Sequence, residues 1–234
     1  MVPPRTTALP VRLLPLSALL AACAAPPPPL ADLHPPGAAD RPLPPDRPAA
    51  RDLLTDPAVP WPAREAVWRE ARRRGWTGRL EEELRAAADR SESGPRAWID
   101  LGNLLVLKLR QAAGTFARAR LAREAESCYD RALARDPANW EAAFRKAVTL
   151  AHWPPFTGRR QEALTLLEKL TRRQEGLPRQ ERFALTWLFL GDLRAREGDE
   201  RGARAAWRRG LERHPENRQL QRKLAPGGEV GHAR

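Results

Sequence analysis

One spacing recurs in this chain and limits what it can fold into. Trp187 stands three residues before the pair Leu190-Gly191, and Gly198, Ala203, Trp207, Gly210 and Pro215 follow at intervals that suit two successive helices. Trp98 stands the same distance before Leu101-Gly102, with Ala125, Tyr129, Ala132 and Pro137 downstream. A small residue on one helix, met by alanine on the next, lets two antiparallel helices approach closely. The large ring fills the space beside that contact. A proline then ends the second helix, because it cannot continue one. One such pair cannot bury its own apolar face, so the pairs have to stack.

These residues resemble the tetratricopeptide repeat (TPR): W-x-x-L-G on a first helix, A-x-x-x-aromatic on a second, and a closing proline. The resemblance implies an all-α fold, a TPR-like helical-hairpin solenoid of three to four repeats with a C-terminal capping helix. The copy at about 184–217 keeps the repeat's internal spacing without a gap. The copy at 95–139 keeps both halves but holds about eleven extra residues between them, judged against the 34-residue unit. In the copy at 140–183, Ala147 replaces the glycine and Ala163 precedes Leu167, with extra residues at 153–158 and near 174–178. The copy at 61–94 has Gly75 at its turn and Leu80, Leu84 and Ala87 at second-helix spacing, but Trp68 where the small residue belongs. Residues 218–224 are expected to cap the array.

The front of the chain is of another kind. Arg5 and Arg12 precede a short apolar run, Leu13–Ala22, that ends in Cys23 and then four prolines, Pro26–Pro29. The run is too short to cross a bilayer as a helix, and its layout is that of a secretory signal. Leu20-Ala21-Ala22-Cys23 resembles the lipobox of bacterial lipoprotein signal peptides. That resemblance implies a signal peptide over 1–22, cleavage before Cys23, and acyl chains on Cys23. The alternatives are an ordinary cleaved signal or an uncleaved anchor. Ala24 is not the aspartate that resembles an inner-membrane retention signal, so the expected location is the bacterial outer membrane, facing the periplasm. Residues 23–60 are proline-rich and lack core periodicity, and are expected to form a disordered tether. Residues 225–234 are expected to be a disordered tail.

Charge divides at the same place. Residues 1–60 hold five arginines and five aspartates, so the formal net charge of +12 belongs to residues 61–234. A strong positive field favours anionic partners. The plainer reading is a solvated charged surface encoded with arginine. No phosphate loop, nucleophile elbow or H-E-x-x-H motif occurs. His34, His152, His214 and His232 lack ligand spacing with each other or with Cys128. No enzyme activity, metal or cofactor is expected, and Cys128 reads as a small buried residue.

In arrays of this kind the first helices line the face that receives a partner. Threading each copy on its matched residues places Arg69, Arg72 and Arg73, Arg96, Ile99, Asn103, Val106 and Leu107 there, then Phe144 and Val148, then Leu188 and Asp192. The expectation is a groove with a basic entrance and an apolar middle, suited to a protein or peptide carrying acidic residues beside hydrophobic anchors. The alternative is that loop 153–158 or a second molecule covers the apolar part. The function expected is a lipid-anchored envelope adaptor or scaffold for an envelope, pilus or secretion assembly. A binder of anionic polymer or membrane surface is the second possibility. Nucleic acid is not an expected partner, and nothing in the sequence sets an oligomeric state.

Overall fold

Small residues decide where the helices meet. A Cβ on Gly102 would stand 2.7 Å from Cε1 of Tyr129, and one on Gly191 would fall inside the Trp207 indole. The aromatic rings of the second helices therefore lie directly on the glycines of the first, as the recurring spacing requires.

The computed structural model describes residues 44–225, apart from 57, 60 and 91–93. Among them are ten α-helices and no strand: α1 (Arg47–Thr55), α2 (Trp61–Arg73), α3 (Thr77–Asp89), α4 (Pro95–Leu109), α5 (Thr115–Arg135), α6 (Trp140–Ala151), α7 (Arg159–Glu175), α8 (Ala184–Arg196), α9 (Glu200–Arg213) and α10 (Arg218–Leu224). The arrangement is all-α, an array of packed helix pairs of the helical-repeat kind. The pairs α4/α5, α6/α7 and α8/α9 coincide with the second, third and fourth copies, and each packs closely within itself. A glycine at positive φ turns each hairpin: Gly75, Gly114, Gly158 and Gly198. That backbone region is open to glycine at little cost. Asn139, Asp199 and Asn217 cap the following helices through side-chain oxygens. In α10, at the expected place, Leu220 is fully buried against the last pair.

The insertion in the second copy is now located. Beyond Gly102, α4 runs two residues further than α8 runs beyond Gly191. The turn after it is two residues longer, and α5 starts seven residues earlier, relative to Tyr129, than α9 does relative to Trp207. At 1.5 Å per residue, α5 projects roughly 10 Å past the turns of a regular copy.

The first copy departs from expectation. α2 and α3 occupy the expected residues but make few contacts with each other. Trp68, fully buried, stands where the other first helices carry a small residue. A third helix, α1, packs against α2 and reaches α4, burying Ala50 and Leu54. Arg47 pairs with Glu83 of α3, and the Arg74 guanidinium donates to the Pro45 carbonyl at 2.9 Å. The expected tether over 23–60 is therefore corrected at its far end, where residues 47–55 are helix and part of the core. Asp46 caps α1 by accepting from the Ala49 amide at 2.8 Å, with proline in the first turn. Cys23, the signal peptide and residues 24–43 lie outside the described residues, as do 226–234 of the expected tail.

Candidate functional site

The first helices α2, α4, α6 and α8 were expected to present the partner groove. Its apolar middle is not open. Ile99, Asn103, Leu107, Phe144, Val148 and Leu188 are all at most 5% exposed. Ile99, Leu107, Phe144 and Val148 belong to one core cluster shared among the copies, and Leu188 is buried with Trp207 and Leu220. The Phe144 ring stacks on Trp140 at 4.9 Å and meets the Phe189 ring edge-on at 5.8 Å. Asn103 turns into its own hairpin, where its Oδ1 accepts from the Tyr129 hydroxyl at 3.1 Å. Val106 is half-buried, and Asp192 is paired with Lys223 at 2.9 Å. Loop 153–158 is not the cover. Trp153 is engaged with α5, donating to Glu126, while Phe156 remains 66% exposed.

Of the arginines expected at the basic entrance, Arg69, Arg72 and Arg73 are exposed on α2, whereas Arg96 is half-buried and paired with Asp100 and Glu141. His152 and Arg196 are exposed at the ends of α6 and α8. Enclosure by neighbouring helices, and then the charges of Arg196, Arg160 and Arg110, push His152 protonation below the usual histidine range, although the residue itself is open to solvent. His152 is therefore neutral at ordinary pH, and the positive charge at this end comes from the arginines around it.

A second charged cluster lies deeper and joins three first helices. Arg96 reaches Asp100 on its own helix and Glu141 of α6 at 2.8 Å, and Arg145 stands one turn beyond Glu141. Arg64 of α2, 3% exposed, completes it, with Nε and Nη2 donating to the carbonyls of Val59 and Asp56 at 3.1 and 2.6 Å. Burial brings the Arg64 guanidinium down to about 10 and lifts the Asp100 carboxyl to about 6, against the pull of Arg96. Burial also raises Glu141, but Arg145, Arg96 and Arg64 outweigh it and hold that carboxyl below the ordinary range. Arg64 was not expected from the sequence, yet a signal existed. It stands four residues before Trp68, as Trp98 and Trp187 stand four before Gly102 and Gly191. An arginine at a tryptophan position marks the copy that packs differently.

A cleft of about 710 Å³ opens between α1, α3 and the start of α4. Arg51, Thr55, Glu83, Leu84, Arg96 and Asp100 line it. Among the described residues, no group of His, Cys, Asp and Glu could hold a metal ion, and no helix is long and apolar enough to cross a membrane. Cys128 is buried, which pushes its thiol up to about 12 and keeps it protonated. Comparison with family models, with curated proteins and with solved structures finds no match.

Proposed function

We propose that this protein is a lipid-anchored adaptor of the bacterial cell envelope whose helical hairpins, of the tetratricopeptide class, hold a protein partner. The observation that carries this reading is the combination on one array of close-packed hairpins with exposed arginines on the first helices: Arg69, Arg72, Arg73 and Arg196. Since the apolar positions between these helices are used within the array, recognition is by charge and by residues at the helix ends. An acidic partner segment fits that surface better than an apolar one.

The anchor half of the reading rests on the lipobox resemblance at Leu20–Cys23. Metabolic labelling with an acyl precursor should mark the wild-type chain and leave Cys23→Ala unmarked. Persistent label in the variant refutes the anchor. For the adaptor half, charge reversal at Arg72, Arg73 and Arg196 should remove proteins that co-purify from detergent extracts. An unchanged set of partners would count against these arginines.

A further inference from the structure

The hairpin turns form one edge of the array, and beside Arg72 and Arg73 that edge carries features the adaptor reading does not use. Arg72 of the first turn donates to Gln111 of the second at 2.6 Å. Arg160, just past the third, pairs with Glu197 of the fourth at 2.9 Å. Trp153 and Arg159 join the third turn to α5 through Glu126. The turns are therefore neighbours in space as well as equivalents in sequence.

Two phenylalanines project from this edge. Phe116, in the part of α5 that overshoots a regular copy, is 92% exposed, and Phe156 of the next turn is 66% exposed. Between Leu101 and Arg123 there is no acidic residue, while Lys108, Arg110, Arg118, Arg120 and Arg123 all fall there. Lys108 and Arg110 are tied back to Glu81 and Glu65. Arg118 bonds the Ala112 carbonyl at 3.1 Å, and Arg120 and Arg123 are exposed. The first turn adds the exposed Arg79, while Arg73 and Arg74 are tied back to Glu70 at 2.6 Å. The fourth turn is different, since Glu197, Asp199 and Glu200 offset its arginines. The chain also arrives here: Pro45 is held by Arg74, in the first turn.

From this juxtaposition we propose that the turn edge of the first three copies docks on an anionic lipid bilayer, with Phe116 and Phe156 entering the headgroup layer and the nearby arginines meeting lipid phosphates. Exposed aromatic side chains set among cations are the composition of an interfacial membrane contact. The two rings stand on separate turns, and a wedge of this kind enters a fluid headgroup layer readily but offers a rigid protein little continuous area. The place where the chain arrives supports the same occupant. Twenty residues separate Cys23 from Pro44, a reach of at most about 70 Å, so an anchored chain would bring this edge to the membrane that holds it. The proposal rests on the envelope reading for its setting, but not on acylation for its chemistry.

The test uses the full chain carrying Cys23→Ser, so that no acyl chain contributes, and vesicles of phosphatidylcholine with or without phosphatidylglycerol. The expected result is co-sedimentation with the anionic vesicles only, falling steeply with added salt. Phe116→Ser with Phe156→Ser should weaken binding about tenfold without altering the helical circular dichroism. Arg118→Glu with Arg120→Glu should weaken it at least as much, since one basic residue near such a surface is worth about fivefold. Arg204→Glu with Arg208→Glu, on the exposed face of α9, should leave most of it in place. No sedimentation with anionic vesicles overturns the proposal. So does equal loss from the α9 pair, or a phenylalanine pair without effect. Specific capture of an acidic protein through Phe116, with vesicles ignored, reassigns the edge to a protein partner. Because acyl labelling of the wild-type chain is read separately, failure here and failure of the anchor are distinguishable.

Discussion

The last copy and the first show what one side chain does to a helix pair. In α8/α9, Gly191 admits the Trp207 ring, whose Nε1 donates to the Leu188 carbonyl at 3.3 Å, and Gly210 lies against Trp187. The pair closes on itself. In α2/α3 the corresponding position is Trp68, and the tryptophan position is Arg64. The two helices touch little, α1 packs beside α2, and a cleft lies between α1, α3 and α4. The same topology thus yields a self-sufficient hairpin or a three-helix unit, depending on whether bulk sits on one helix or on both.

The comparison can be broken from either side. Trp68→Ala should have the largest effect, about 4 kcal/mol, because a fully buried indole leaves a void that three helices share. Chemical denaturation would read it. A loss under about 1 kcal/mol would mean that Trp68 does not organise the first unit. Gly191→Ala should cost about 3 kcal/mol through overpacking against Trp207. Gly75→Ala meets no atoms, and should cost less and only through its left-handed backbone.

Glu141→Gln probes the ionic bridge between the two regions. Arg96 and Arg145 lose their shared partner, for a cost of about 2 kcal/mol at neutral pH in a half-buried setting. The native carboxyl titrates below its unfolded value near 4.3. Its contribution is therefore in place above that pH and is lost as pH falls through the lower native value. The variant should flatten the acid limb of the stability profile, and an unchanged limb would show that Glu141 carries none of it. The smallest effect is expected from Asp46→Ala, about 1 kcal/mol, confined to α1. Hydrogen exchange should speed up roughly fivefold in α1 and stay unchanged in α8 and α9.

Much of the array was legible because its rule is local. Glycine, alanine and aromatic residues at fixed spacing dictate which helices touch, and Gly102, Gly191, Tyr129 and Trp207 carried that through. α1 was hidden by its neighbours, since the prolines around it suggested coil. Yet Asp46 with proline behind it, and then Ala50, Leu53 and Leu54 on one face, are a helix start and an apolar stripe. The groove was misjudged for a different reason. Ile99 and Phe144 do lie on the first helices, but a core cluster shared among the copies claims them, Leu188 is buried with Trp207 and the capping Leu220, and spacing within one copy reveals neither neighbour nor cap. Arg69, Arg72 and Arg73 are exposed as expected, because little competes for a solvated charge, whereas Arg96 is claimed by Asp100 and Glu141.

The adaptor reading makes the first-helix face the working surface, and one experiment addresses it directly. A photo-crosslinking residue at Arg72 or Arg196, and in a parallel strain at Arg208 on α9, would report what each face meets in the living cell. The account predicts discrete protein adducts from positions 72 and 196 and none from 208. Equal adducts from all three positions, or adducts from 208 alone, would contradict it.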